Sequence, residues 1–460
     1  MKRLLLAAAL WLPTVFVQAQ SDSAFIAQLF EQALSKGKAY SDLRDLCKQA
    51  GPRLSGSPAA AKAVQLTAEK MRNYAFDSVF FQDVMVPYWV RNEETALKLS
   101  SSDTGFHSRD LPLCALGGSV AGMVSGEVVE VLGWNDLQKL PDEQVKGKIV
   151  FFNRPMDARM VYTFGAYGTC VDQRVYGAIW AASKGAKGIL VRSMNLSIDD
   201  YPHTGSMAYV DTIAKIPAAA ISTQGAEELS ALLVKYPNLS VSYALGGENK
   251  GMALSHNVIG ELKGKKKDII AVGGHLDAWD MAEGAHDDGA GCIQSIEVLR
   301  LLKTLNYTPN YTLRSVMWMN EENGLKGALA YAHRADSLKE NHVAAIEADR
   351  GAFAPRGFFI QADQKMVERM QTWLPLLEPY GVYMIKSGGA GADVGPLARV
   401  NEKTVLVGFV PDSQRYFDYH HAATDTFESV NKRELELGAA ALASLIYLMD
   451  KYEVGSWSMP

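Results

Sequence analysis

A chain of 460 residues, 48% hydrophobic and 21% charged, has ordinary globular composition and enough material for more than one domain. Its formal net charge of −5 holds no basic excess of the kind that marks nucleic-acid binding, which sets that partner aside.

The first residues, MKRLLLAAALWLPTVFVQAQ, open on Lys2 and Arg3, continue as an apolar run and end in small residues. The pattern reads as a signal peptide over residues 1–19, cut after Ala19, and predicts a secreted or periplasmic protein. Pro13 interrupts the run, which is shorter than the ~20 apolar residues of a membrane span; no other segment reads as a span. Residues 24–50 and 57–75 carry helical periodicity, the second stretch opened by Ser57 and Pro58. FDSVFFQDVMVPYWV then reads as a strand.

From residue 120 to 248 the texture changes. SGEVVEVL, KGKIVFFN, AKGILVRS and IPAAAISTQ are short apolar strands between turns, with helical stretches near 174–184 and 224–235. This predicts an inserted β-rich domain of about 130 residues, a common domain size. Residues 20–119 then form the N-terminal part of the main domain and 249–460 the remainder. In that last part DIIAVGG, YTLRSVMWMN, HVAAIEAD and KTVLVGFV are strands. GCIQSIEVLRLLKTL, ALAYAHRADSL and RELELGAAALASLIYLMDKY are helices. The alternation predicts an α/β fold with a mostly parallel, doubly wound sheet, which binds ligands beyond the carboxyl ends of its strands.

The chemistry gathers at those ends. GGHLDAWDMAEGAHDDGAG, residues 273–291, holds two histidines and five carboxylates. Carboxylates crowded in this way repel unless they stay hydrated or a positive charge sits among them. NEENGLKG adds Glu321 and Glu322 after the next strand, IEADRG adds Asp349, and YHHAATDT adds His420, His421 and Asp425. Five of these suit two divalent ions: His275 and His421 as terminal nitrogens, Glu322 and Asp349 as carboxylates, and Asp287 as a bridge. Imidazole with carboxylate and no thiolate favours zinc, and two ions roughly 3.5–4 Å apart would share one activated water. Adjacent Glu321 and Glu322 point apart in an extended segment, so one can bind metal while the other handles a proton. Asp277 is placed to accept the second N–H of His275.

GGHLDAWD, HDDGAG, NEENG, EAD and YHHAATDT together resemble the five metal-site motifs of the M28 family of co-catalytic zinc peptidases. RLSGSPAAAKA, VMVPYWVR and the inserted strands ending in IPAAAIS resemble its carboxypeptidase Q-like branch, whose insert is a protease-associated domain. The resemblance spans essentially the whole chain after the leader. It implies His275, Asp287, Glu322, Asp349 and His421 as ligands of two Zn²⁺, Asp287 bridging, and Glu321 as general base. It implies hydrolysis of dipeptides or short peptides by a homodimer. His421 is preferred to His420 because Asp425 then follows four residues later, as in the family's H-x-x-x-D-T. Alternatives are an aminopeptidase acting on longer peptides, a one-zinc glutaminyl cyclase-like enzyme and a metal-free binding homologue.

Elsewhere structural roles suffice. Asp288 reads as a helix cap, and His286 has no assigned role. His107, His203, His256, His333 and His342 read as surface or satisfied polar residues. Cys47, Cys114, Cys170 and Cys292 are too scattered for a CxxC site, and each reads as a small buried hydrophobe. SGGAGADVGPL, residues 387–397, is a turn that the resemblance places near the substrate pocket, with Asp393 as its residue of interest.

Overall fold

The computed structural model describes residues 22–457; the leader read at residues 1–19 lies outside them. The first strand, β1 (Ser78–Val90), is followed by β2 (Leu97–Ser100), β3 (Arg109–Leu111), β4 (Leu113–Ala115), β5 (Gly122–Val131), β6 (Ile149–Phe152), β7 (Gly188–Arg192), β8 (Ala218–Ile221) and β9 (Ser240–Leu245). Then come β10 (Glu248–Leu262), β11 (Ile269–His275), β12 (Thr312–Trp318), β13 (His342–Glu347), β14 (Pro355–Gln361), β15 (Met384–Ser387) and β16 (Val405–Pro411). They form two eight-stranded sheets, one in the order β1-β10-β12-β11-β13-β16-β14-β15 and one in the order β3-β2-β9-β5-β6-β7-β8-β4.

The first sheet is parallel through its centre, β12-β11-β13-β16. The pair β14-β15 is parallel too, so most of the pairings are parallel as expected, while β1 with β10, β10 with β12 and β14 with β16 are antiparallel. Alternating strands and helices predict parallel neighbours. That inference fails where a ribbon forms without a crossover helix and where β14, unread in the sequence, folds back on β16.

The sheet is covered on both faces. Ile270 and Val272 of β11 pack with the helices Ala290–Thr304 and Lys432–Lys451, while Ile269 and Ala271 pack with the helix Lys326–Leu338. Alternate side chains of one strand thus enter different apolar layers, which explains its continuous apolar run. Each buried Leu or Ile in these layers contributes about 1.5–3 kcal/mol. Ser57 caps the helix Pro58–Asn73 through the amide of Ala60, as its sequence suggested. The stretch expected as helix over 24–50 is broken: residues 22–36 and Ala39–Ala50 are separate helices. Gly37 lies at the break, pressed against Glu436 so closely that a side chain there would collide.

The second sheet interrupts the first. The chain leaves at the end of β1 and returns at β10, where Val90 pairs with Glu248. This unit starts before the expected boundary at residue 120, because β2, β3 and β4 belong to it. Those strands are only three or four residues long, too short to show a period. All four cysteines are buried and free. Among the described residues no helix is long and apolar enough to cross a membrane.

Candidate metal centre

Four parallel strands deliver the site. β11 ends on His275, the turn after β12 carries Glu321 and Glu322, Asp349 follows β13, and the loop after β16 carries His420, His421 and Asp425. Asp287 lies just before the helix Ala290–Thr304, joined to Asp288 by a cis peptide bond.

Asp287 is the centre of the arrangement. Its Oδ1 lies 3.2 Å from His275 Nε2, which is 3.7 Å from Asp349 Oδ1. Its Oδ2 lies 3.3 Å from His421 Nε2, which is 3.2 Å from Glu322 Oε2. One carboxylate therefore faces two separate histidine–carboxylate pairs. His420 Nε2 is farther from Asp287 Oδ2, at 3.8 Å. The described donor groups close enough to share an ion are Asp287 with His420 and His421, and His275 with Asp287 and Asp349.

The electrostatics ask for a cation. Burial opposes charge on His275, but Asp349 and Asp287 raise its pKa well above the usual imidazole value. Burial likewise opposes charge on His421, while Glu322 and Asp287 carry it up to about 9. Burial and Asp287 push Glu322 up to about 7. Asp287, despite burial, is held well below the carboxylate range by His275 and His421. The carboxylates thus draw protons onto the imidazoles when nothing else supplies positive charge. Yet no donor is aligned on the buried Oδ2 of Asp287 for a hydrogen bond. Donor atoms 3.2–3.3 Å apart and unaligned toward each other suit ligands of one ion: tetrahedral bonds of about 2.0–2.1 Å put neighbouring donors about 3.3 Å apart.

The supporting contacts fix each donor. The backbone amide of Trp279 donates to Glu322 Oε1 at 3.2 Å, leaving Oε2 for the site. Asp425 accepts from the amides of His286 (2.7 Å) and Asp287 (3.1 Å). Asp288 accepts from the backbone amide of Gly291 at 3.0 Å, a cap as expected, and also from the backbone amide of His275 at 3.1 Å. Gly274 must lack a side chain, since a Cβ would occupy the place of the Asp288 carboxylate.

Asp277 departs from its expected role. The carbonyl oxygen of Asp277, not its carboxylate, lies 2.9 Å from His275 Nδ1; the carboxylate is 4.0 Å away. Oδ1 instead accepts from the amides of Asn320 (2.6 Å) and Glu321 (3.1 Å), so Asp277 sets the turn that carries the two glutamates. Glu321 has a carboxyl pushed well above its usual range by burial, with Asp349, Glu322 and Asp287 adding repulsion.

Other roles were invisible in the sequence. Arg53, buried in the RLSGSP stretch, gathers three carbonyls of the following loop: Leu276 at 2.6 Å, Gly284 at 2.9 Å and Glu283. Tyr416 places its hydroxyl 3.5 Å from Asp349. His286 stacks between Phe353 and Tyr419 and accepts from Ala352 N–H through Nδ1 at 3.1 Å, a packing role. Asp393 is buried with both carboxylate oxygens unpartnered, and its loop is tied to β13 because Glu347 accepts from Ala392 and Val394. His203, read as a surface or satisfied residue, is buried beside the site.

Residues 257–446 match the profile of Peptidase family M28. The chain is 31% identical to carboxypeptidase Q of Homo sapiens over 424 residues, covering 91% of this chain and 86% of that protein. The chain belongs to peptidase family M28. A solved peptidase M28 precursor from Shewanella amazonensis SB2B superposes with a TM-score of 0.88 at 31% identity, over 94% of this chain and 97% of that one. A zinc aminopeptidase from Bacillus subtilis shares the fold at a TM-score of 0.63 and 21% identity, covering 91% of this chain and 96% of its own. This M28 protein is a metallo-exopeptidase.

Proposed function

We propose that this M28 peptidase is an exported, dinuclear zinc exopeptidase that hydrolyses dipeptides or short peptides with a free terminus. The observation that carries this reading is Asp287, whose two oxygens face His275 with Asp349 on one side and His421 with Glu322 on the other. When bound, zinc on these donors supplies a Lewis acid that lowers the pKa of water toward ~7 and polarises a peptide carbonyl.

The chain's own residues do the rest. The carboxylate of Glu321 takes the proton of the attacking water and passes it to the nitrogen of the departing amine. Asp277 holds this carboxylate in register by fixing the backbone amide of Glu321. The carbonyl of Asp277 and the amide contacts of Asp425 hold His275 and Asp287 with their donor atoms turned inward.

Relatives named carboxypeptidase Q at 30–32% identity support a carboxypeptidase or dipeptidase over an aminopeptidase, for which Aminopeptidase YwaD is 25% identical. A panel of dipeptides and longer peptides, with free or blocked termini, tests the reading by mass detection of products. Cleavage of free dipeptides should vanish on chelation and return with two equivalents of zinc. Cleavage of long peptides with blocked carboxyl termini would instead establish the aminopeptidase. No cleavage of any peptide by the zinc-loaded protein would overturn both.

A further inference from the structure

The unit built on the second sheet reaches into the metal centre. Its residues 203 and 204 lie against 420–422 as a short antiparallel pairing, with a bridge between His203 and Ala422. Thr204 N–H donates to the His421 carbonyl at 3.0 Å, and the Thr204 carbonyl lies 3.2 Å from His421 Nδ1. The His203 ring, buried, places Nδ1 2.7 Å from the carbonyl of His420. This strap is anchored in its own unit: Gly117 N–H donates to Gly205, and Thr204 Oγ1 donates to the Ala115 carbonyl at 2.8 Å.

Arg174, from the same unit, lies with Nη1 3.3 Å from His421 Nδ1 and donates from Nε to the Ser206 carbonyl at 3.2 Å. A guanidinium only donates, so Nδ1 cannot serve both Arg174 and the Thr204 carbonyl. With Nε2 turned to Asp287 and Glu322, a neutral ligating ring carries its proton on Nδ1, and the Thr204 carbonyl is its partner. Space is as strict as charge. Gly205 sits at φ +132°, and a Cβ there would lie 2.6 Å from His421 Nδ1 and collide with Arg174.

We propose that the strap 203–206 is a positioning element for the metal ligand His421, so that zinc on its side of Asp287 is held tightly only while the second unit is docked. This rests on the two-zinc reading. Outer partners of a ligating histidine fix its tautomer and orientation, and losing them weakens metal binding by about 10–100-fold. Coupling is reciprocal: zinc on His421 must also stabilise the strap.

Zinc titration of wild-type protein and of the Gly205→Ala and His203→Gln variants, against a competing chelator, tests the proposal, with folding followed by circular dichroism. The expected result is two zinc ions per wild-type chain, one of which binds 10–100-fold more weakly in each folded variant. Wild-type affinity for both ions in either folded variant would overturn it. A measurement without variants decides the case even if both misfold: hydrogen exchange of the Thr204 amide should slow at least tenfold when zinc is added to metal-free wild type. Unchanged exchange on zinc loading would overturn the proposal. A wild-type chain that binds a single zinc would remove the two-zinc reading alone; the strap proposal would still be decided by the exchange of Thr204.

Discussion

Glu321 and Asp277 separate chemistry from scaffolding within one turn. Glu321→Gln keeps a similar shape but cannot accept a proton, so kcat should fall by roughly 10²–10⁴-fold while zinc content by elemental analysis is unchanged. Asp277→Asn should act differently. Its carbonyl, which faces His275 Nδ1, survives, but the charge that receives the amides of Asn320 and Glu321 is lost. A fall in kcat of about 10–100-fold, with zinc affinity kept within a factor of a few, is the expected outcome. A parallel loss of zinc would show that the carboxylate supports His275 after all. The convergence of His275, Asp287, Glu322, Asp349 and His421 was legible because acids and imidazoles fell at successive strand ends. Contacts through backbone carbonyls, as at Asp277 and Thr204, leave no trace in side-chain chemistry.

At the scale of the elements, the closing helix Lys432–Lys451 carries a buried acid facing the N-terminal helices. Glu436 accepts from the Tyr40 amide at 3.1 Å, its Oε2 has no partner, and burial together with Glu297 pushes its pKa up to about 7. A carboxyl whose folded pKa is raised stabilises the fold fully below its unfolded value, near 4.5, and that stability is lost as pH rises through 7. Glu436→Gln should remove this loss. Urea midpoints of the two proteins, compared at pH 5 and pH 8, should diverge in favour of the variant at pH 8, by at most roughly 3 kcal/mol. Equal pH slopes would contradict the argument. The helices themselves were readable from their 3.6-residue period, and caps such as Ser57 marked their starts. β14 and β15 were not: β14 opens on Pro355, Arg356 and Gly357, which break the strand signal, and β15 has only four residues.

Across the whole molecule, the metal centre ties the two sheets and four strand ends into one electrostatic unit. Without metal, burial with Asp287 holds Glu322, and burial with Asp349 holds Glu347, at about 7. The metal-free fold is then most stable below pH 4.5 as far as these groups decide it, and loses that contribution as pH rises through 7. His421, raised to about 9, acts in the same direction. Zinc replaces the missing positive charge, so the melting-temperature gap between zinc-loaded and chelated protein should widen from pH 5.5 to pH 8. A constant gap would mean that these carboxyls do not titrate in the metal-free fold. The change in texture near residue 120 signalled strands outside the first sheet. The place of β2, β3 and β4 in the second sheet and the contact of 203–206 with the centre were not legible, because 97–115 and 203–206 are too short and irregular to declare a partner.

The four thiols report on opening. Cys114 and Cys170 lie in the second unit, Cys47 and Cys292 in the first, and burial raises the thiol pKa of Cys47 and Cys114 to about 12 and of Cys170 to about 11. A maleimide should therefore modify none of them until the surrounding packing separates. Because no crosslink joins them, oxidant and reductant should leave the melt unchanged. The order in which the two pairs become labelled under mild denaturant would reveal which unit parts first.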